Sequence, residues 1–159
     1  MLPVTPPDDA IPPEHPLRRM KELVYRQMAP MRPLLVTLST SWTLATPPDQ
    51  GLLAIVLMAV YGTQTDAELC ASLATDPDLR WFLGTTAGGQ ALDPTMLAQV
   101  RTRLLRNSAA REFLEQTMQA VTAAGLLADP HFAPDGRQID AWVPGVAAVR
   151  PRLVRGDVG

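Results

Sequence analysis

Leu52-Leu-Ala-Ile-Val-Leu-Met-Ala-Val60 is apolar on every face. A helix with no polar stripe has to be buried all round, so this stretch predicts the central helix of a helical bundle. Thr46-Pro-Pro-Asp49 leads into it as a loop, and Gly62 ends it in the role glycine fills one residue past a helix. Thr65-Asp-Ala-Glu68 then reads as a capping box, in which Thr65 caps a new helix and Glu68 reaches back. A buried helix, a short turn opening on Gly and a capped second helix have the spacing of a helix-turn-helix unit. Most helical hairpins of this kind are plain packing units, so the spacing alone does not carry DNA binding.

Working outward, His15-Pro16 opens an earlier helix, with Pro in the first turn where its missing N–H costs nothing. Leu17, Met20, Val24 and Met28 form its apolar stripe, and Arg18, Arg19, Lys21 and Arg26 cover the other side. That basic side reads as a solvated face that could also meet a phosphate backbone. Pro30 and Pro33 end or kink the helix, and Met31 to Leu38 predicts a short second one. Beyond the hairpin, a helix from Ala67 to about Ala74 is followed by a turn of helix from Asp76-Pro77 that holds Leu79, Trp81 and Phe82. Trp81 reads as a core anchor, and Thr85 to Ala91, with its paired glycines, as a loop.

Asp93-Pro94 combines an N-cap acid with Pro at the first helical position. At about 100° per residue, Met96, Leu97, Val100 and Leu104 make one apolar stripe. Thr95, Gln99, Thr102, Arg103 and Arg106 gather on the opposite face. These residue types read base edges and phosphates, Arg for guanine or phosphate, Gln for adenine and Thr for either. They equally suit a solvated helix face. Arg101 and Arg111 add local positive charge. Ser108 is expected to cap a helix over Ala109–Ala124, with Phe113, Leu114, Met118 and Val121 inward and Gly125 closing it.

The pattern changes at His131-Phe-Ala-Pro-Asp135-Gly136-Arg-Gln-Ile-Asp140-Ala-Trp142. Pro-Asp-Gly between apolar-containing runs is a tight-turn signal and predicts a short β-hairpin over 128–142. By turn chemistry alone Asp135 is a turn residue. Residues 1–14 read as a disordered lead-in and 143–159 as a tail.

The single cysteine, Cys70, excludes an internal disulfide and an all-thiolate metal site, and reads as a small core residue on a helix. A net charge of −2 is not that of a free-standing nucleic-acid binder, so any such contact has to come from local basic patches. The N-terminus lacks a basic flank and apolar core, and the longest apolar run, Leu52 to Tyr61, is far short of a membrane span. A cytoplasmic protein with no membrane partner is expected.

Taken in order, the residues resemble the InsH-like insertion-sequence transposases, which carry a DDE catalytic core. The resemblance covers about residues 15–142. It rests on His15-Pro16-Leu17-Arg18, Ala59-Val60-Tyr61-Gly62, Glu68-Leu69 and Leu79-Arg80-Trp81-Phe82-Leu83-Gly84. It continues through Asp93-Pro94-Thr95, Arg101, Arg103-Leu104, Ala110-Arg111-Glu112-Phe113, Ala123-Ala124-Gly125-Leu126, Asp135-Gly136 and Ile139-Asp140-Ala141-Trp142. Their order and spacing carry the match. The resemblance implies a mainly α protein: 15–127 is a helical domain binding element-end DNA, and 128–142 is the first part of a ribonuclease-H-like catalytic domain. Asp135 matches the first catalytic, metal-binding carboxylate, and Mg²⁺ is implied for the full-length family.

Two Mg²⁺ ions have to be held together to stabilise both the attacking and the leaving oxygen of a phosphodiester, which takes three carboxylates. Asp140 and Asp157 are the acids after Asp135, and Asp140, on the expected following strand, does not replace the missing partners. The similarity stops after Trp142, as a frameshift or early stop would leave it, so a truncated, catalytically incomplete transposase is expected. Double-stranded DNA is its expected partner. The alternatives are an interaction module that self-associates or pairs with a full-length transposase as an inhibitor, and a non-functional remnant.

Overall fold

α3 (Pro48–Tyr61) is the axis of the bundle, and each residue from Gly51 to Val60 is buried. Full burial of side chains such as Ile55 and Leu57 contributes about 1.5–3 kcal/mol each relative to leaving them in water. The computed structural model describes residues 11–41, 44, 46–84 and 93–142. Eight α-helices form among the described residues: α1 (Pro16–Met28), α2 (Arg32–Ser41), α3, α4 (Asp66–Thr75), α5 (Pro77–Leu83), α6 (Pro94–Leu105), α7 (Ser108–Ala123) and α8 (Gly136–Trp142). α2, α5, α6 and α7 pack on α3, and α1 packs on α7 and α5. No single described helix is long and apolar enough to cross a membrane.

The helix ends follow the local chemistry. His15 Nδ1 accepts from the Leu17 N–H at 3.1 Å, and Asp93 Oδ1 accepts from the Met96 N–H at 2.7 Å. Thr65 Oγ1 accepts from the Glu68 N–H at 3.1 Å, while Glu68 Oε1 takes the Thr65 hydroxyl at 3.3 Å. The box is thus closed side chain to side chain, with Glu68 bonded to the Thr65 hydroxyl in place of the expected backbone N–H. α7 is capped by Asn107, whose side chain accepts from the Ala110 N–H, and Ser108 is its first helical residue. Asn and Ser are equally good caps, so the tie falls to whichever of them has extended backbone.

The apolar stripes behave as their spacing predicts. Leu17, Met20, Val24 and Met28 on α1 and Phe113, Leu114, Met118 and Val121 on α7 are all buried. Trp81 is a core anchor at 4% exposure. Arg80 beside it is also buried, and its Nη1 donates to the Leu73 carbonyl at 2.6 Å. A guanidinium at that place satisfies an orphan carbonyl near the end of α4 and favours its negative dipole end.

Of the lead-in over 1–14, residues 11–14 are described: Ile11 is 1% exposed, with Arg18 donating to its carbonyl through both Nε and Nη2, while Pro12, Pro13 and Glu14 are exposed. Residues 1–10 lie outside the described residues, as do the Thr85–Ala91 loop and the 143–159 tail.

The β-hairpin over 128–142 is absent: no strand occurs among the described residues, and this stretch forms a 3₁₀ turn (Leu126–Ala128) and then α8. Pro134 gives no ladder N–H, and no described strand lies alongside. A helix satisfies its backbone within itself, and Asp135 starts it by accepting from the Arg137 N–H at 2.9 Å. The segment therefore supplies no ribonuclease-H strand.

Cys70 sits on α4 at intermediate exposure, and burial, aided by Asp66 and Asp93, pushes its thiol up to about 11. The thiolate is the reactive form, and at pH 8 such a thiol is roughly one part in a thousand ionised. Alkylation by iodoacetamide is expected to be far slower than for a free cysteine, and to accelerate about tenfold per pH unit up to pH 10. A rate that levels off near pH 9 would show a normal thiol.

Candidate functional site

α6 is pinned on one side and open on the other. Leu97, Val100 and Leu104 are buried, while Met96 is half-buried at the edge of the stripe. Gly51 of α3 lies under this seam: a Cβ added there would stand 2.3 Å from Val100 Cγ1 and 2.9 Å from Leu104 Cδ1. Only a residue without a side chain lets α3 and α6 approach so closely.

On the open side, Thr95, Gln99, Thr102, Arg103 and Arg106 are all exposed. Gln99, Thr102, Arg103 and Arg106 line one groove of about 760 Å³ with Leu44 and Ala98. Thr95 lies one turn earlier, outside that groove. Arg103 is in the last turn of α6 and Arg106 at its C-cap, where positive charge is favoured by the helix dipole.

Arg101 goes elsewhere. At about 100° per residue it stands roughly 140–160° around the helix from Gln99, Arg103 and Arg106, and roughly 100° from Thr102. Its Nη1 is bonded to Asp66 Oδ1 at the start of α4, both side chains about one-fifth exposed. Asp66 is favoured there by the positive end of α4, so the pair ties α6 to the turn after α3. Arg101 and Asp66 also line a second groove of about 410 Å³ with Gln64, Asp135 and Arg137.

Asp135 is held by two donors. Gln64 Nε2 donates to its Oδ2 at 2.7 Å and the Arg137 N–H to its Oδ1. The Gln64 amide first, then the backbone N–H, hold its carboxyl below the ordinary carboxylate range. Around it, Gln138 Nε2 donates to the Thr63 carbonyl, and the Ala133 N–H donates to the Val60 carbonyl at 3.0 Å. Among the described residues no group of three His, Cys, Asp or Glu side chains is placed to hold a metal ion. With Asp135 engaged by an amide and a backbone N–H, these residues do not fit a two-Mg²⁺ site.

A family model described as "Transposase domain (DUF772)" matches residues 6–103, more than half of the chain. The chain belongs to that transposase domain family. No curated protein and no solved structure matches it. Within this transposase domain, Thr95, Gln99, Thr102 and Arg103 fall inside the matched residues, and Arg106 and Asp135 beyond them.

Sequence reasoning missed the grip of Gln64 and Gln138 on the segment around Asp135. An isolated Gln in a turn carries no pattern. It also missed a cluster at the other end of that segment. His15 Nε2 meets Asp78 Oδ2 at 3.2 Å, and the His131 ring packs edge-on to it at 4.8 Å. His131 Nε2 is 2.8 Å from the Tyr61 hydroxyl. Because His15 Nδ1 accepts from a backbone N–H, a neutral His15 carries its proton on Nε2, toward Asp78. These four side chains are drawn from positions 15, 61, 78 and 131, and their meeting has no signature in local spacing.

Proposed function

We propose that this transposase domain is the DNA-binding, N-terminal part of an insertion-sequence transposase of the DDE type, recognising element-end DNA through α6. The observation that carries the reading is the groove along α6, where Gln99, Thr102, Arg103 and Arg106 lie side by side. Two arginines supply phosphate or guanine contacts, and Gln99 and Thr102 supply the donors and acceptors that distinguish base edges. Arg101, paired with Asp66, sets the pose of the helix.

α3 and α4 turn through 96°, within the range that helix-turn-helix pairs take. α4 nevertheless has Asp66 and Glu68 in its first turn and no Lys or Arg. An acidic helix end is repelled by phosphates, so the reading role falls to α6 and the hairpin serves as its support. Catalysis is not assigned to this chain: Asp135 has no carboxylate partners for a metal pair among the described residues.

Fluorescence anisotropy with labelled duplexes, from the element ends and scrambled, tests this directly. Wild-type protein is expected to prefer one end fragment and to lose affinity steeply with salt. Arg103→Ala/Arg106→Ala is expected to weaken binding at least tenfold and to reduce the log–log salt slope by about 1–2. Gln99→Ala is expected to relax the sequence preference with little change in slope. Equal, salt-independent affinity of wild type and the double variant would sink the assignment.

A further inference from the structure

Charge is segregated along this chain. From Glu14 to Arg32 five cations (Arg18, Arg19, Lys21, Arg26 and Arg32) stand against two carboxylates, Glu14 and Glu22. The span carries +3 in a chain of net −2, so the remaining residues together carry −5. A dense positive patch on a net-acidic protein is the footprint of polyanion docking.

The patch has a definite shape. Arg19, Glu22 and Arg26 are exposed, and at about 100° per residue they fall within roughly 60° of one another on α1. Beside Arg19 runs a groove of about 800 Å³, lined by Arg18, Lys21, Tyr25 and Trp81 among others. The Lys21 ammonium stands 4.0 Å from the Trp81 ring centre and 5.2 Å from that of Tyr25, and donates to the Trp81 carbonyl at 2.8 Å. The Arg18 guanidinium, bonded to the Ile11 and Pro12 carbonyls, is 5.4 Å from the same Trp81 ring. Two cations gathered at one buried indole are fixed charges, and an anion that meets them does not have to order them first.

We infer that this face of α1, with Arg19 and Arg26 in front and Lys21 and Arg18 fixed beside them, is a second docking surface for the phosphodiester backbone of double-stranded DNA, separate from α6. The inference rests on the reading of the chain as a DNA-binding domain. The face contacts phosphates and carries no sequence information, because its exposed arc holds no amide or hydroxyl to read a base edge. An anionic membrane is the poorer fit. Interfacial helices bury apolar residues beside their cations, and the exposed residues of α1 are Arg19, Glu22 and Arg26 alone. Glu22 follows Arg19 by three residues and precedes Arg26 by four, so its carboxylate sits between the two and weakens the surface.

The full chain is titrated with a short scrambled duplex and with an element-end duplex over a range of salt. Arg19→Ala/Arg26→Ala is expected to reduce the log–log salt slope by about 1.8, with equal loss of affinity on both duplexes. Glu22→Gln is expected to tighten both several-fold. Thermal melts of the two variants are expected to match wild type, since all three residues are exposed. An unchanged slope in the arginine variant overturns the proposal, as does a Glu22→Gln variant that binds no tighter. Binding to phosphatidylserine vesicles in place of duplex overturns it too. The two DNA surfaces fail separately. If only Arg103→Ala/Arg106→Ala lowers affinity, this second surface falls; if only the α1 variants respond, the α6 assignment falls and this one stands.

Discussion

Replacing Gly62 by alanine is expected to cost about 2–4 kcal/mol and to lower the melting temperature by about 4–16 °C. Two terms add. Gly62 has φ +64°, and a side chain in that left-handed region costs about 1–2 kcal/mol. A Cβ there would also stand 2.1 Å from the Ala133 carbonyl oxygen. That neighbour is backbone and cannot rotate away. Relief requires the 131–138 segment to lift, which breaks the bond from the Ala133 N–H to the Val60 carbonyl and loosens the hold of Gln64 on Asp135. Gly125 is the internal control. Its φ is +75° but nothing lies within 4 Å of an added Cβ, so Gly125→Ala is expected to cost only the backbone term, about 1–2 kcal/mol. Urea melts of both variants separate the terms, and equal costs would mean that the segment does not dock at Gly62.

The same turn shows why part of this structure was legible in the sequence. Gly62, Thr65 and Glu68 act within a few residues of themselves, and so do the His15-Pro16 and Asp93-Pro94 starts. Helix ends and apolar stripes are decided by local chemistry, which is why α1, α3, α6 and α7 follow their spacing. The segment around Asp135 is decided at a distance. Pro-Asp-Gly permits a hairpin turn or a capped helix start with equal ease. What selects the helix is the set of contacts from Gln64, Thr63 and Val60, seventy or more residues back in sequence.

Ile11 was hidden for a related reason. A proline-rich, acidic stretch reads as unstructured, and Ile11 within it is buried where Arg18, from the next helix, holds its carbonyl. The candidate interface divides in the same way. The α6 face follows from helical periodicity, whereas Asp66, the partner of Arg101, lies thirty-five residues away and leaves no mark in local spacing.

Gly51→Ala offers the second large effect, and its sign runs against helix propensity. In an open helix this change stabilises by roughly 0.5–1 kcal/mol, because alanine loses less backbone freedom. At Gly51 it is expected to destabilise by about 1–3 kcal/mol, and Gly51→Val by more. The new Cβ would lie 2.3 Å from Val100 Cγ1, on a β-branched side chain whose position is set close to its own backbone. The strain can be met only by moving α6 outward, which shears its groove against α3 and pulls on the Arg101–Asp66 pair.

Val100→Ala on its own leaves a cavity and is also expected to destabilise. Together the two changes fit: the Gly51 methyl fills space vacated by the valine. The double variant is expected to be at least 1 kcal/mol more stable than the sum of the single costs predicts. Its element-end affinity is expected to return toward wild type, while Gly51→Ala alone binds more weakly. A neutral or stabilising Gly51→Ala, or strictly additive costs, would mean that α3 and α6 do not meet at this glycine. Recovery of stability without recovery of DNA affinity would separate the pose of α6 from its binding, and would leave the groove without the role assigned to it.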